Sequence, residues 1–223
     1  VLEVSPKTVS ALRKIGELQQ MRGEMGVAEQ AFQAYLRQVP DDPEAYIPLG
    51  NLYLELGQLD KARDYFERAY VLNPNKWEYH FKMAEVEVSM GFFQKATGIY
   101  NEVIQNQSDP KAVTEAYEGL ANMMMLKGRP KNALNYREKQ FESMRQFASP
   151  LQVWIETLDK LNEFAMVDPQ MANQIYGEIA EKMKGPVSAL SALGELRIGE
   201  ALKDPKKIKS GRDRLEPFIN DRK

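Results

Sequence analysis

Few residues of this chain have the types and spacing that catalysis needs. Its 223 residues include a single histidine, His80, and no cysteine. With no second histidine and no thiol, neither a catalytic triad of the usual kind nor a thiol site can be built. A metal site at His80 would have only carboxylates as further ligands. Asp41 and Asp42 fall in a proline-containing loop, where carboxylates are normally solvated. We therefore predict no catalytic residue, no metal and no cofactor, and a protein that is not an enzyme.

Charge also narrows the class of partner. The chain has 30 basic and 32 acidic residues, a net charge of −2. This balance gives no general attraction to nucleic acid or to an anionic membrane. The C-terminal segment is locally basic, with Lys206, Lys207 and Lys209, but no aromatic side chains alternate with these charges, so we interpret it as a solvated outer face. No apolar run is long enough to span a membrane. We expect a cytoplasmic protein that does not bind nucleic acid.

The elements that position these residues are helices arranged in pairs. Between Pro43 and Pro74, one stripe of residues follows the helical period, then Gly57 interrupts it, and a second stripe follows. The first stripe consists of Tyr46, Leu49, Gly50, Tyr53 and Leu56, and the second of Leu59, Ala62, Phe66 and Ala69. Asn73-Pro74 ends the second helix, because the residue before proline is disfavoured in a helix. The stretch is predicted to be a helical hairpin.

This hairpin repeats every 34 residues. The shift aligns Gly16, Gly50 and Ala84; Gly23, Gly57 and Gly91; Ala28, Ala62 and Ala96; Phe32, Phe66 and Tyr100; and Pro40 with Pro74. Small residues at a helix crossing allow two helices to approach closely, and the aromatic residues fill the space beside them. A fourth unit follows with a changed spacing, since Gly128 lies 37 residues after Gly91, and Arg137 takes the place of the aromatic.

The period and these residue types resemble the tetratricopeptide repeat (TPR) family, most completely in Tyr46, Leu49, Gly50, Tyr53, Ala62, Phe66 and Pro74. The resemblance implies an all-α, right-handed α-solenoid of about six hairpins, the last two divergent. We expect an N-terminal tail at 1–4, four TPR-like repeats at 5–148, and divergent hairpins at 149–223 that cap the solenoid. A separate small helical bundle is the alternative for 149–223.

The helical period also predicts which residues face inward. On the first helix these are Leu12, Ile15, Gly16 and Gln19. His80 aligns with Tyr46 and is expected in the core. Of the run Met123–Met125, Met124 is placed inward and Met125 on the other face.

In the TPR family the first helices of the repeats line a concave groove that binds peptide segments of partner proteins. By this resemblance the groove residues are Arg13, Glu17, Ile47, Asn51, Leu54, Phe81, Lys82, Glu85, Val88, Asn122 and Met125. Members that bind chaperone tails hold a C-terminal carboxylate with lysine and asparagine at fixed groove positions. Here Glu17 and Glu85 occupy asparagine-type positions, which argues against such a clamp.

The function expected from the sequence is a non-enzymatic scaffold that binds a partner protein or peptide in this groove. Two alternatives stay open: a structural protein that self-assembles into a homo-oligomer, and a regulatory module of a longer chain. Because the chain begins with Val1 rather than methionine, a fragment or a processed form is expected.

Overall fold

Helices form all the regular structure in the part of the chain that the computed structural model describes. It describes residues 6–150, 168–182 and 188–220, together with residues 152, 153, 155–157, 160 and 165. No strand occurs in these ranges, which confirms the predicted all-α class. The helices are α1 (Pro6–Met21), α2 (Met25–Gln38), α3 (Ile47–Glu55), α4 (Leu59–Leu72), α5 (Trp77–Ser89), α6 (Phe93–Asn106), α7 (Pro110–Leu126), α8 (Pro130–Met144), α9 (Pro169–Lys182), α10 (Ser188–Leu202) and α11 (Pro205–Asn220), with a 3₁₀ turn at Pro43–Ala45 before α3.

The chain divides into two compact units, one up to Ser108 and one from Asp109 onward. The first unit contains the hairpins α1–α2, α3–α4 and α5–α6, and each of the later two hairpins also packs on the one before it. The second unit contains the hairpins α7–α8 and α10–α11, and α9 packs on α10. The predicted boundary after residue 148 follows the loss of the repeat pattern and stays a prediction. The predicted tail at 1–4 lies outside the described residues.

A glycine ends the first helix of each of the first four hairpins. Gly23, Gly57, Gly91 and Gly128 all have positive φ, between 64° and 80°. In the second hairpin Gly57 N donates to Leu54 O at 3.0 Å, and Gln58 N donates to Tyr53 O at 2.8 Å. This pair of bonds is the Schellman motif, which satisfies the last carbonyls of a helix and reverses the chain. A side chain with a Cβ is strained at positive φ, so glycine sets where each hairpin turns.

Asp-Pro pairs begin several helices. Asp109 precedes α7 and its Oδ1 accepts a hydrogen bond from Lys111 N at 2.9 Å. Asp168 and Asp204 cap α9 and α11 in the same way. The carboxylate satisfies an N–H that has no partner within the helix, and proline fits the first turn because it has no N–H to satisfy.

Two close helix crossings of the first unit lie at glycines. A Cβ on Gly50 would stand 2.3 Å from Cε1 of Phe66, and a Cβ on Gly16 would stand 2.3 Å from Cε1 of Phe32. Both phenylalanines are fully buried. The predicted close contact at Gly50 is therefore confirmed, and the same contact is repeated in the hairpin before it.

Most inward assignments are confirmed, and two are wrong. His80 is buried and packs edge-on against Tyr70, with 5.0 Å between the ring centroids. Met124 is buried, and so is its neighbour Met123. Ile15 and Leu56, however, are exposed. A helix has a side that faces its hairpin partner and a side that faces the neighbouring hairpin, and Ile15 lies on the latter.

Candidate partner-binding face

The predicted groove residues of the first unit lie on the first helix of each hairpin. Arg13 and Glu17 are on α1, Ile47, Asn51 and Leu54 on α3, and Phe81, Lys82, Glu85 and Val88 on α5. We call these nine residues the groove face. None of them is fully buried. Because α3 packs on the hairpin before it and α5 packs on α4, the hairpin order places α1, α3 and α5 in sequence.

Apolar side chains of the groove face are half-buried. Ile47 and Leu54 rest against the core cluster that contains Leu49, Leu52 and Phe66. Val88 is also half-buried. Part of each side chain therefore serves the fold, and the remainder is available to a partner. A row of half-exposed aliphatic side chains gains free energy when a partner removes it from water, about 25 cal/mol per Å² of apolar area.

The ring of Phe81 is held in place by two other aromatic rings. Its ring lies 5.2 Å from that of Trp77 at an angle of 60°, and 5.9 Å from that of Tyr100 at an angle of 39°. These contacts connect it to its own helix and to α6. They fix the orientation of the ring, so that little side-chain entropy would be lost on binding. They also mean that removing the ring would weaken the fold, which the sequence did not indicate.

Each cation of the groove face is paired with a carboxylate on the same helix. Arg13 Nε donates to Glu17 Oε1 at 2.8 Å, and Lys82 Nζ donates to Glu85 Oε2 at 3.0 Å. A further bond joins α1 to α3, where Gln20 Nε2 donates to Glu55 Oε2. The face therefore has no concentrated positive charge to attract an acidic tail.

Polar pairs lock consecutive hairpins together at equivalent positions. Tyr53 Oη donates to Glu29 Oε1 at 2.6 Å, which joins α3 to α2. Thirty-four residues later, Arg63 Nη2 lies 3.1 Å from Glu87 Oε1, which joins α4 to α5. Burial and the bond to Glu29 raise the pKa of Tyr53 to about 12. Glu87 is itself buried. Neither pair could be predicted from the sequence, because the helical period does not indicate which residue of a neighbouring helix lies opposite.

A third link holds α5 to the turn before α3. Glu44 Oε1 accepts hydrogen bonds from Lys76 Nζ and, at 2.6 Å, from Tyr79 Oη. Burial opposes ionisation of Glu44, but these two bonds outweigh it and hold the pKa of its carboxyl below the usual value. Burial and the same bond raise the pKa of Tyr79.

In the second unit, Asn122 and Met125 lie on α7, and Asn122 contacts a buried arginine. Arg137, at 0% exposure, donates from Nη1 to Gln140 Oε1 at 2.8 Å and from Nη2 to Asn122 Oδ1. Its Nη1 is also 3.5 Å from Glu118 Oε1. From the sequence, this position shows only the loss of the aromatic residue of the other hairpins. The position of Arg137 in the repeat was the signal that predicts its burial, since the other hairpins bury Phe66 and Tyr100 there.

Few sites in the described part of the chain could hold a small ligand or a metal ion. A depression of about 770 Å³ at the turns of the second and third hairpins is lined by residues that include Asp60, Lys61, Arg63 and Phe92. Within the described ranges no three His, Asp or Glu side chains come close enough together to hold a metal ion. No helix among the described residues has the length and apolarity needed to cross a membrane.

Comparison with known proteins identifies the repeats. Residues 14–76 match the family model described as tetratricopeptide repeat. This part of the chain carries tetratricopeptide repeats. The match covers α2, α3 and α4 in full and the last part of α1. This confirms the resemblance stated from the sequence, and with it a fold that is used for protein–protein interaction.

Relatives share only part of their length with this chain. Superkiller protein 3 of Schizosaccharomyces pombe is 30% identical over 115 residues, which are 50% of this chain and 8% of that protein. The protein CTR9 homolog of Arabidopsis thaliana is 27% identical over 158 residues, 66% of this chain and 13% of that protein. The chain thus spans about a tenth of the length of these relatives. The solved structure of Pseudomonas aeruginosa pilF has a TM-score of 0.58 and 18% identity, covering 95% of this chain and 92% of that one, and shows the fold alone.

Proposed function

We propose that this TPR chain is a non-enzymatic scaffold whose groove face binds a segment of a partner protein. The observation that carries the proposal is the row of half-buried apolar side chains on successive first helices, Ile47 and Leu54 on α3 and Phe81 and Val88 on α5. Solvent-facing helices of a protein with no partner rarely concentrate apolar surface in this way. Asn122 and Met125 are proposed to play the same role in the second unit.

The charges of the groove face favour one kind of segment. Both cations are already neutralised by Glu17 and Glu85, whereas Glu55 is held only by the neutral amide of Gln20 among the bonds described above. A partner with a free carboxylate would meet more negative than positive charge. The preferred segment is therefore apolar and neutral or basic. A cytoplasmic location accords with the cysteine-free sequence and is part of the proposal.

A binding measurement with three variants tests the proposal. Val88→Lys places a charge in the apolar row and should weaken binding by roughly tenfold or more if the row forms the centre of the interface. Phe81→Ala should weaken it similarly, and also lower the melting temperature because the contacts with Trp77 and Tyr100 are lost. Arg68 is exposed on α4, so Arg68→Ala is the matched control that should leave both quantities unchanged.

The partner is first isolated by affinity capture on the wild-type chain, identified by mass spectrometry, and then titrated with each purified variant by calorimetry. The proposal is supported when Val88→Lys loses binding and retains the wild-type melt. It is wrong when Val88→Lys and Phe81→Ala both bind as the wild type does. If binding is lost only when Lys206, Lys207 and Lys209 are neutralised, the partner occupies the C-terminal segment and not the groove face.

A further inference from the structure

Arg137 is a buried cation at a position where the preceding hairpins bury an aromatic ring. The spacing of the hairpins aligns it with Phe66 on α4 and Tyr100 on α6, and all three side chains are buried. Burying a guanidinium costs free energy unless its N–H groups are hydrogen-bonded. An aromatic ring would fill this place without that cost. The arginine therefore points to a role other than packing.

Asn122 occupies the matching place on the first helix of the same hairpin. The same spacing aligns it with Asn51 on α3 and Glu85 on α5, which belong to the groove face. Asn122 is exposed, and its Oδ1 accepts a hydrogen bond from Nη2 of the fully buried Arg137. Within the described residues, the side chain of Asn51 has no hydrogen bond, and that of Glu85 bonds to Lys82 of its own helix. Of these three aligned positions, only the one on α7 is connected to a buried cation.

The guanidinium determines which end of the Asn122 amide faces it. Arginine has N–H donors and no acceptor, so only the carbonyl oxygen of the amide can bond to it. Turning the amide over would set donors against donors. The Nδ2 group of Asn122 is therefore directed away from Arg137, and it has no hydrogen-bond partner in the described part of the chain. A bond to a cation also polarises the amide, which strengthens its N–H groups as donors.

The buried guanidinium is itself held in place on its other side. Its Nη1 donates to Oε1 of the buried Gln140 at 2.8 Å and lies 3.5 Å from Glu118 Oε1. Gln140 is one turn further along α8, and Glu118 is one turn before Asn122 on α7. These contacts fix the plane of the guanidinium, and through it the orientation of the Asn122 amide.

We propose that Arg137 is a positioning residue for partner binding in the second unit. By holding the carbonyl of Asn122, it leaves only N–H donors for the partner, so this position takes an oxygen that accepts hydrogen bonds and rejects a group that donates them. The oxygen belongs to a main-chain carbonyl of an extended segment or to a carboxylate, because the carbonyls of a helix are already bonded within it. This inference rests on the proposed function and adds a rule of selection to it.

Replacing the donor of Asn122 by an acceptor tests the proposal. Asn122→Asp keeps an oxygen for Arg137 and exchanges the N–H group for a second oxygen. The carboxylate pairs with the buried guanidinium, so the melting temperature should be at or above that of the wild type. The same variant offers the partner no donor, so binding should weaken by at least about tenfold. Asn135 is exposed on α8, so Asn135→Asp is the matched control that should leave both quantities unchanged.

A double-mutant cycle distinguishes positioning from a merely structural role. Arg137→Tyr gives α8 the residue that α6 has at the aligned position, and it frees the amide of Asn122 to turn over. Asn122→Ala should then weaken binding by a smaller factor in the Arg137→Tyr background than in the wild type. Equal factors in the two backgrounds would mean that Arg137 supports only the fold.

The probe is the binding segment of the captured partner, made as a synthetic peptide and titrated into each variant by calorimetry. Raising the salt concentration distinguishes the two kinds of acceptor, since it weakens the binding of a carboxylate more than that of a carbonyl. A lowered melting temperature of Asn122→Asp would overturn the inference, because the amide oxygen would then not face Arg137.

Comparison with Val88→Lys separates this inference from the proposed function. If Asn122→Asp binds as the wild type does and Val88→Lys does not, Arg137 has no role in binding and the groove face stands. If Val88→Lys binds normally and Asn122→Asp does not, the role of Arg137 stands and the apolar row of the first unit is not the centre of the interface. A wild-type chain that captures no partner overturns both.

Discussion

Replacing Gly50 by alanine separates helix propensity from the crossing of α3 and α4. Alanine favours a helix over glycine by about 1 kcal/mol. At Gly50, however, the added Cβ would lie 2.3 Å from the buried ring of Phe66, which must move or distort the helix. Overpacking of this kind costs about 1–3 kcal/mol. Gly98 lies inside α6 with nothing within 4 Å of a Cβ, so Gly98→Ala receives the propensity gain without the clash.

The two substitutions share the same chemistry, and the difference between their free energies of unfolding therefore isolates the clash. We expect Gly98→Ala to be stabilising, and Gly50→Ala to be less stable than Gly98→Ala by about 1–3 kcal/mol. Urea unfolding followed by circular dichroism measures both. Replacing the opposing ring by a smaller side chain, in Phe66→Leu, should reduce the clash. The Gly50→Ala substitution should then cost less stability in the Phe66→Leu background than in the wild type. If Gly50→Ala is as stable as Gly98→Ala, the crossing is not as close as described.

Three further outcomes follow from the polar links. Arg63→Leu leaves the buried carboxylate of Glu87 without its closest cation and should lower the free energy of unfolding, measured in urea, by about 3 kcal/mol. Adding Glu87→Leu should restore most of this stability. No recovery would mean that Arg63 acts through packing. Because the pKa of Tyr53 is raised to about 12, its contribution to stability is intact below pH 10 and is lost as the pH rises toward 12. In an alkaline absorbance titration, Tyr53→Phe should lose one phenol that ionises late. An unchanged titration curve would count against the bond to Glu29. The pKa of Glu44 is lowered, so its bond to Lys76 stabilises the fold above about pH 4.5 and is lost as the pH falls below that value; Glu44→Gln should therefore show a shallower acid limb of stability than the wild type.

The hairpins themselves could be predicted from sequence because their signals are local. Gly57 and Gly91 mark turns that require positive φ, and Asp-Pro pairs mark helix starts. The contact of Gly50 with Phe66 was also predictable, since the 34-residue period sets a small residue and an aromatic at matching places in each hairpin. These inferences depend only on the helical period and on backbone geometry.

The contacts of the groove face, and the buried Arg137, were harder to predict from the sequence, because they depend on residues of neighbouring helices. The helical stripe that includes Ile15 does not distinguish a side facing α2 from a side facing a neighbouring hairpin. Phe81 could be placed on the correct helix, yet its contacts with Trp77 and Tyr100 come from α5 and α6 together. Arg137 was judged by residue type as a lost core position, whereas its position required burial and its neighbours supply the acceptors.

The two locks between hairpins, Tyr53 with Glu29 and Arg63 with Glu87, also determine the order in which similar hairpins can assemble. Identical repeats could dock in any sequence, because every face would fit every other. Here, a chain that skipped the second hairpin and stacked α5 directly on α2 would set Glu87 against Glu29, and two carboxylates would repel each other in a partly buried site. The correct neighbour offers each carboxylate a donor instead. One junction therefore pairs a phenol with a carboxylate, and the next pairs a guanidinium with a carboxylate. Repeats that arose by tandem duplication and then diverged at these two positions would stack in a single order.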